Sequence, residues 1–571
     1  MWWILQKNRF SLEKSAISDL ESNIEWLQVD KWQANHELEM SVSFQVVHFD
    51  KTYRFKMIYP SVFPDLPPMI YTEDKVRISW HQYGNDGELC LEYRPDNWQP
   101  SVKGADMIAS LHRLLSEEQS ESGYSTHAHS AHVSSLGRDL RSKYFRFLVT
   151  QNDLKAMNSL AEGKPENIWL KDHVACDIFV MSIIKIGDKE SPIWTSDLLL
   201  PKRDKEAIGT VVRIPDISIP TQPELTDIEK LLDRTGIIEL YRDILEKDSF
   251  THFVLGDKNS WILLSVYGDV DDRKVIRFTT IQISDHKNRL PENFLSLQDK
   301  KVCVVGCGSV GSKIATSLCR SGVSNFLFID EDIFFPDNIV RNDLDLNYVG
   351  IHKTQALQDR LRKINPNVNI QILNLSLGGQ ESSNFMSGAL ESIGNCDLIV
   401  DATANASAFN WIASISKRRK KPIVWVEVFG GGIGGIVARS RPEIDPVPLS
   451  ARDQIYHWCN EQGIETLQIT QSDDYSVQRN DGIPLIADDA EVSVISAHAT
   501  RFVTDILTQP EISIFPYSAY IIGMSSEWIF QAPFDTRPID LQPEGEWGEY
   551  SDTPSPDEII QLMKQYLPSK D

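Results

Sequence analysis

A chain of 571 residues is too long for one hydrophobic core, and its length predicts about three or four domains. Hydrophobic residues make up 41% of the chain and charged residues 24%, a composition typical of globular proteins. The formal net charge of −24 argues against non-specific binding to nucleic acid or to an anionic membrane, because both need basic surface.

The seven cysteines have no repeating spacing, so the sequence indicates neither a disulfide framework nor a paired CxxC zinc site. The apolar start of the chain, MWWILQKNRF, is too short for a signal-peptide core or for a membrane span of roughly 20 residues. We therefore expect a cytoplasmic protein in a reducing compartment, with neither nucleic acid nor membrane as a partner.

The first region, residues 1–150, is predicted to be an α+β domain. HELEMSVSFQVVHF and KTYRFKMIYP alternate as strands do, and YPSVFPDLPP (59–68) is a proline-rich turn. The following stretch, GELCLEYRPDNWQPS (87–101), places a single thiol, Cys90, between turn formers. Taken alone, this cysteine is as consistent with a packed small hydrophobe as with a reactive group. The polar segment 116–132 is predicted to be a loop.

The second region, residues 151–292, mixes strand candidates with one helical segment, EKLLDRTGIIELYRDILEK. It contains no recognisable catalytic motif. We expect an α+β linker domain.

The third region, residues 293–571, begins with a clear βαβ unit. KVCVV (301–305) predicts a strand, GCGSVGSKIATSLCRSG a glycine-rich turn and a helix ending at Gly322, and NFLFIDED a second strand. Further strands are predicted at 396–403 and 421–439. This alternation predicts a doubly wound parallel sheet, the Rossmann-like fold class.

The glycine-rich turn predicts a nucleotide site. Gly306, Gly308 and Gly311 match GxGxxG, in which glycines allow a tight turn and a close approach of the backbone to phosphate. Asp330 stands at the end of the second strand, where an acid can hold a ribose hydroxyl. GxxxxGK[ST] is absent, which excludes a Walker-type loop. An NAD(P)-dependent oxidoreductase with a fused binding module is one interpretation.

The stretch after Asp330, IDEDIFFPDNIVRNDLDLNYVGIHKTQAL, resembles the ThiF-type adenylating superfamily, which includes the ubiquitin-activating enzymes and the activators of sulfur-carrier proteins. KINPNV and LIVDATANAS continue the match. The family usually has an Asp where Ala404 stands, which leaves Asp401, alone or with Asp332, to hold Mg²⁺. The resemblance implies that the nucleotide is ATP and that the site contains Asp330, Asp332, Asn338, Arg341, Gly350 and Lys353.

The implied chemistry accounts for the two basic residues. In adenylation a carboxylate attacks the α-phosphate of ATP and expels pyrophosphate, and the charge of that transition state needs fixed cations and Mg²⁺. Arg341 and Lys353 would supply positive charge. Hydride transfer has no such need, so this pattern favours adenylation over the oxidoreductase interpretation.

Residues 59–115 resemble a ubiquitin-conjugating enzyme, through YPSVFPDLPP, His81 before GELCL, the Trp98–Gln99–Pro100 step and the helix DMIASLHRLLS. The resemblance implies that Cys90 is a nucleophile that accepts a protein modifier as a thioester, with His81 nearby. The family's His-Pro-Asn tripeptide is reduced to His-Gln-Tyr, so the asparagine that would stabilise the oxyanion is missing. The candidates to replace it are Asn85, His127, His129 and His132.

A second thiol, Cys459 in ARDQIYHWCNEQG, is a candidate relay within the activating domain. A structural helix cysteine, a serine such as Ser476 or direct passage to Cys90 are the alternatives. The glycine-rich FGGGIGGIVAR (429–439) is predicted either to accept the extended tail of a modifier or to allow close strand–helix packing.

The order of these regions resembles the bacterial fusion enzymes of ubiquitin-like conjugation, some of which belong to anti-phage operons including CBASS. It implies adenylation of the C-terminal glycine of a ubiquitin-like modifier or target protein, a thioester on Cys90 and conjugation to an amine of an acceptor protein. The family also implies a homodimer. A non-catalytic scaffold is the third interpretation, because the tripeptide and the Asp at position 404 are lost.

Overall fold

The structure is a computed structural model that describes the chain except for residues 75, 80, 84–86, 119–134, 142, 197, 199–205, 216, 218, 221, 247–249, 259, 270–271, 284–289, 430–431, 464–476, 479–483, 486, 528, 550–554 and 568–571. The chain divides into two compact units, Met1–Lys143 and Tyr144–Asp571. Among the described residues, no helix is both long enough and apolar enough to cross a membrane.

The first unit is an antiparallel sheet with helices. The strands run in the order β1-β2-β3-β4-β6-β5, and their apolar side chains form one core with those of α2 and α3. Its elements are α1 (Trp2–Leu5), α2 (Lys7–Asn23), β1 (Leu27–Ala34), β2 (Met40–His48), β3 (Lys51–Tyr59), β4 (Met69–Thr72), β5 (Gln82–Tyr83), β6 (Glu88–Leu89), α3 (Gly104–Glu118) and α4 (Leu136–Asp139).

A buried carboxylate fixes the start of α3, the helix that follows the Cys90 segment. Glu13 of α2 is fully buried, and its Oε2 accepts hydrogen bonds from the Gly104 amide at 2.7 Å and the Tyr59 hydroxyl at 3.0 Å. Arg9 pairs with its other oxygen at 2.9 Å. Burial raises the pKa of Glu13, and these donors oppose the rise. The carboxylate therefore joins three elements of the unit.

The second unit begins with a sheet that closes on itself. Its strands run β10-β9-β7-β14-β13-β12-β11-β8, and β8 also pairs with β9, which closes a barrel around an apolar core. The elements are β7 (Phe145–Thr150), α5 (Gln151–Asn158), β8 (Glu166–Ala175), β9 (Ile178–Gly187), β10 (Pro192–Thr195), β11 (Glu206–Arg213), α6 (Leu225–Arg234), α7 (Ile238–Glu246), β12 (Thr251–Gly256), β13 (Ile262–Tyr267) and β14 (Lys274–Ile283).

The sequence placed the first domain boundary at residue 150. In the structure β7 pairs with β9 and β14 of the barrel, so the residues just before 150 belong to the second unit. The alternation of residues in β7 does not show which strands it pairs with, because the same pattern fits a strand of either sheet.

The remaining part of the second unit is a Rossmann-like sheet, ordered β17-β16-β15-β18-β19-β20-β23-β24. A 3₁₀ helix (Glu292–Asp299) precedes it. The elements are β15 (Lys301–Val305), α8 (Ser309–Ser321), β16 (Asn325–Ile329), α9 (Lys353–Ile364), β17 (Asn369–Leu373), α10 (Ser383–Gly394), β18 (Leu398–Asp401), α11 (Ala406–Arg419), β19 (Ile423–Phe429), β20 (Gly434–Ser440), α12 (Pro448–Glu461), β21 (Val477–Gln478), β22 (Pro484–Leu485), α13 (Asp489–Thr508), β23 (Ala519–Gly523), β24 (Thr536–Ile539) and α14 (Pro556–Tyr566).

This sheet is parallel only in part. The strands β17, β16, β15, β18 and β19 are parallel, as the sequence predicted, and both of their faces are covered. Side chains of α8, α9 and α13 pack on one face, and those of α10, α11 and α12 pack on the other. The predicted parallel sheet does not extend to β20, β23 and β24, which pair antiparallel, and the strand predicted at 421–439 is two antiparallel strands, β19 and β20. The strand order reverses between β15 and β18, where α/β sheets bind ligands.

The glycines of β20 have a packing reason. A Cβ on Gly435 would lie 2.7 Å from Cδ1 of Ile495 in α13, and one on Gly434 would lie 2.7 Å from the carbonyl oxygen of Ile522 in β23. Because β20 pairs with β19 on one side and β23 on the other, it offers no free edge to an added strand. Close packing therefore accounts for these glycines, as the second interpretation of this segment proposed.

Candidate active site

The glycine-rich turn lies at the switch point, between the end of β15 and the start of α8. Gly306 has φ of +85°, and a Cβ on Gly311 would lie only 1.8 Å from the carbonyl oxygen of Gly306, so both positions exclude larger residues. Gly308 caps α8, and a Cβ there would meet nothing within 4 Å. The first amides of α8 face this space, which suits an anionic group. The helix ends at Gly322 with φ of +112°, as predicted.

Asp330 follows β16 and closes the turn. Its Oδ2 accepts a hydrogen bond from the Cys307 amide at 2.6 Å, and its Oδ1 accepts one from the Asp332 amide at 2.8 Å. Burial raises the pKa of Asp330, while the charge of Lys353 opposes the rise. The carboxylate is thus oriented by the backbone at the glycine-rich turn, and its predicted contact with a ribose hydroxyl stays a prediction.

Lys353 is the first residue of α9 and is only 7% exposed. Its Nζ lies 2.6 Å from Oδ2 of Asp332, and its backbone amide donates to the Asp332 carbonyl at 2.9 Å. Gly350 precedes it with φ of +85°. The fold therefore holds one ammonium group, largely removed from solvent, beside both carboxylates of the acid pair.

Asn338 and Arg341 lie on a 3₁₀ helix (Pro336–Val340) and directly after it. Oδ1 of Asn338 accepts a hydrogen bond from the Phe335 amide at 3.0 Å, which caps this turn. The segment then attaches to α8: the Asp343 amide donates to Oγ of Ser312 at 3.2 Å, and the Thr316 hydroxyl donates to the Asp343 carboxylate at 2.6 Å. Arg341 is thus placed by a backbone attached to the helix that begins at the glycine-rich turn.

Asp401 ends β18, the neighbour of β15, and is 4% exposed. Its Oδ1 accepts hydrogen bonds from the amide and the hydroxyl of Thr403 at 2.9 and 2.7 Å. Burial raises the pKa of Asp401 to about 6, and the pKa of Glu427 on β19 is raised by its own burial and by the charge of Asp401. Ala404 follows with φ of +51°.

These carboxyl groups bear on the Mg²⁺ prediction. A buried carboxyl group with a raised pKa is one that a cation would stabilise, so Asp401 fits the role of a magnesium ligand. Asp332 fits less well, because Lys353 already neutralises its Oδ2. Among the described residues, no group of three or more His, Cys, Asp or Glu side chains is arranged to hold a metal.

Comparison with known proteins agrees with this geometry, since residues 285–447 match the model of the ThiF family. The C-terminal region contains a ThiF family domain. The matched range includes the glycine-rich turn, the acid pair, Arg341, Lys353 and Asp401. The family match covers the candidate nucleotide site and ends before α12.

Three curated relatives each match 28% of the chain. The protein y4oA of Sinorhizobium fredii is 34% identical over 168 residues, which is 28% of this chain and 28% of that protein. The tRNA threonylcarbamoyladenosine dehydratase of Haemophilus influenzae is 26% identical over 28% of this chain and 56% of that protein. The ATP-dependent ubiquitin transferase-like protein Cap2 of Pseudomonas aeruginosa is 26% identical over 28% of this chain and 29% of its own. The matches thus span between about a quarter and somewhat over half of these relatives.

Solved structures give weaker similarity. Escherichia coli MccB with ATP superposes with a TM-score of 0.34 at 15% identity, covering 45% of this chain and 69% of MccB. PaaA superposes with a TM-score of 0.34 at 17% identity, covering 44% of this chain and 75% of PaaA.

Outside the ThiF domain, Cys90 directly follows β6 in the first unit and is half-buried. Its amide donates a hydrogen bond to the His81 carbonyl at 2.7 Å, so the two predicted residues lie next to each other, just beyond the paired strands β5 and β6. The imidazole of His81 approaches the buried carboxylate of Glu118, with Nε2 and Oε1 3.9 Å apart. A guanidinium nitrogen of Arg94 donates to the Cys90 sulfur at 3.0 Å. Neither Glu118 nor Arg94 was singled out from the sequence.

Cys459 has a different environment. It lies inside α12, is 4% exposed and packs in the core on the α10–α12 face of the sheet. Burial raises the pKa of its thiol to about 11, and the charge of Glu427 adds to the rise. Such a thiol is mostly protonated at neutral pH, which favours a packing role over a relay. The relay role of Cys459 is not supported by this environment.

Several candidates from the sequence lie outside the described residues, namely Asn85, His127, His129, His132 and Ser476. The resemblance of the first unit to a ubiquitin-conjugating enzyme, the homodimer and the anti-phage setting stay predictions.

Proposed function

We propose that the ThiF domain uses ATP and Mg²⁺ to adenylate the C-terminal glycine of a ubiquitin-like protein or target protein. The observation that carries this proposal is the ion pair between Lys353 and Asp332 beside the glycine-rich turn. The ammonium group of Lys353 is buried beside the acid pair, and in this proposal the phosphates of the nucleotide lie next to it, over the N-terminus of α8. The similarity to Cap2 supports a ubiquitin-like acyl donor.

The first chemical step is a substitution at phosphorus. A carboxylate oxygen of the donor attacks the α-phosphate of ATP, the bond to the β-phosphate oxygen breaks, and pyrophosphate leaves. Lys353 and Arg341 would stabilise the charge that develops on the phosphates. Asp401 would hold Mg²⁺, which supplies further positive charge to the phosphate oxygens when bound.

The second step moves the acyl group to a thiol. The Cys90 thiolate attacks the carbonyl carbon of the acyl adenylate, the bond to the AMP oxygen breaks, and AMP leaves. An amine of the acceptor protein then attacks the thioester and displaces the thiolate. We propose direct passage to Cys90, because the buried thiol of Cys459, with its raised pKa, is a poor nucleophile at neutral pH.

The adenylation step predicts a large effect of two substitutions. Lys353→Ala and Arg341→Ala should each slow ATP–pyrophosphate exchange by roughly 10²-fold or more, because each removes a fixed charge from the transition state. The assay contains ATP, Mg²⁺ and a ubiquitin-like protein ending in glycine. Calorimetry with ATP and with NADH, in parallel, separates an adenylating site from an oxidoreductase site.

Arg320→Ala provides the matched control, because Arg320 is an exposed arginine at the far end of α8. Its exchange rate should equal that of the unsubstituted protein. Normal exchange in both the Lys353 and Arg341 variants would refute the adenylation proposal.

A further inference from the structure

The guanidinium group of Arg94 is directed at the sulfur of Cys90. Its Nη1 donates to Sγ at 3.0 Å, which is short for a hydrogen bond to sulfur, and the side chain is half-buried. Burial raises the pKa of Glu88, and a hydrogen bond from Tyr71 and the charge of Arg94 oppose this rise. Glu88 is thus an acidic group facing Arg94 near the thiol.

The backbone beneath Arg94 is fixed by a tight turn. The amides of Asn97 and Trp98 donate to the Arg94 carbonyl at 3.0 and 2.8 Å, and the Arg94 amide donates to Oδ1 of Asn97 at 2.8 Å. The side-chain amide of Asn97 in turn donates to the Glu92 carbonyl at 2.7 Å. These hydrogen bonds connect Glu92 and Arg94 to the residues at 97 and 98. The backbone that carries the guanidinium group is therefore restrained.

The indole of Trp98 anchors the same turn to the proline-rich segment. Its Nε1 donates to the Pro64 carbonyl at 2.7 Å, and its ring packs against Phe63. The turn that carries Arg94 is consequently held against the body of the first unit.

A thioester on Cys90 would place a carbonyl oxygen two bonds from the sulfur that Arg94 contacts. When an amine attacks the thioester carbon, negative charge develops on this oxygen, and the reaction is accelerated by donors directed at it. Arginine presents five N–H donors in a planar fork and remains charged at all physiological pH values. The same group can therefore remain near the sulfur and donate to the oxygen.

We propose that Arg94 is a catalytic residue of acyl transfer from Cys90 and stabilises the oxyanion of the tetrahedral intermediate. Arg94 would thus replace the oxyanion-stabilising asparagine of the His-Pro-Asn tripeptide, since this sequence has Gln82 and Tyr83 in place of the proline and the asparagine. The inference rests on the proposed function, in which Cys90 carries an acyl group. The amine nitrogen forms the new bond to the acyl carbon, the carbon–sulfur bond breaks, its electron pair stays on sulfur, and the amine releases one proton to solvent.

The experiment loads Cys90 chemically, so that no protein donor is required. All variants carry Cys176→Ser, because Cys176 is exposed and would also react. The protein is incubated with the acetyl thioester of N-acetylcysteamine, the adduct is measured by intact mass, and its discharge to free lysine is followed after the reagent is removed. Arg94→Ala should slow the discharge by roughly 10²-fold, as expected for loss of one oxyanion donor.

A second reaction separates the oxyanion from the thiol itself. Alkylation of Cys90 by iodoacetamide forms no carbonyl intermediate, so Arg94→Ala should reduce its rate far less than it reduces the discharge. Arg94→Lys, which keeps one charged donor without the fork, should discharge at an intermediate rate. Arg113→Ala is the matched control, because Arg113 is an exposed arginine of α3 that pairs with Glu92.

Three results would overturn the proposal. The first is discharge by the Arg94→Ala protein within twofold of the unsubstituted rate. The second is an Arg94→Ala protein whose discharge and alkylation rates fall by the same factor. The third is discharge by the unsubstituted protein no faster than the reaction of S-acetyl-N-acetylcysteine with lysine. Pyrophosphate exchange takes place in the ThiF domain and does not involve Arg94. A failure of the adenylation proposal is therefore distinguishable from a failure of this one.

Discussion

The thiols of Cys90 and Cys459 are both close to proposed chemistry, but their surroundings differ in the properties that determine reactivity, access to solvent and neighbouring charge. Cys90 directly follows a two-residue strand, is half-buried and accepts a hydrogen bond from a guanidinium group. Cys459 lies inside a helix, in an apolar core, where burial raises the pKa of the thiol to about 11. Proximity to a motif is therefore a poor guide to a reactive thiol, and access together with a neighbouring cation is a better one.

The largest expected difference between the two thiols is in conjugation. Cys90→Ala should abolish transfer to an amine, a loss of at least roughly 10³-fold, because the acyl carrier is gone. Cys459→Ala should leave conjugation within about threefold of the unsubstituted rate. Pyrophosphate exchange should be unchanged in both. Gel analysis with and without a thiol reductant, using Cys90→Ser to trap an oxyester, measures the transfer.

Loss of loading onto Cys90 in the Cys459→Ala protein, with normal exchange, would make Cys459 a relay and reverse this comparison. Full conjugation by the Cys90→Ala protein would remove Cys90 from the mechanism.

A smaller difference is expected in alkylation. With a pKa of about 11, Cys459 is ionised to roughly one part in a thousand at pH 8, and its alkylation rate should rise about tenfold per pH unit toward pH 11. At pH 8, iodoacetamide should label Cys90 at least roughly 10²-fold faster. Peptide mapping by mass spectrometry gives both rates, with the exposed Cys176 as an internal reference. Equal labelling of the two thiols at pH 8 would contradict this prediction.

The smallest difference is expected in stability. Cys459→Ala removes a sulfur atom from a packed core and should lower the free energy of unfolding by about 1–2 kcal/mol. Cys90→Ala should change it by less than about 0.5 kcal/mol, because Cys90 is only half-buried. Denaturant titration measures both values. An equal loss of stability in the two variants would show that Cys90 also serves as a packing residue.

The sequence predicted the ThiF part of the fold well where the pattern is local. The turn at Gly306–Gly311 and the helix end at Gly322 depend on backbone conformations that only glycine adopts easily, so their positions were predictable. The direction of β20 could not be predicted, because a buried run of small and apolar residues occurs in both parallel and antiparallel strands.

The candidate site was predicted with the same limit. The sequence could place Asp332 and Lys353 in one site, because both belong to the motif by which it resembles the ThiF family, and the two side chains do form an ion pair. The contact of Arg94 with Cys90 depends on the turn between Arg94 and Trp98, which determines where the guanidinium group points. Nothing in the spacing of the two residues distinguishes this arrangement from an arginine directed at solvent.

The attachment of the Arg341 segment to α8 has a consequence for nucleotide affinity. Ordering one residue costs about 1–2 kcal/mol of conformational entropy, and a free loop would incur this cost for several residues each time ATP bound. The hydrogen bonds from the Asp343 amide to Ser312 and from the Thr316 hydroxyl to Asp343 attach the end of this segment to α8. Much of that entropy is therefore lost when the chain folds, and in the proposed reaction more of the binding energy of ATP would remain for the chemical step.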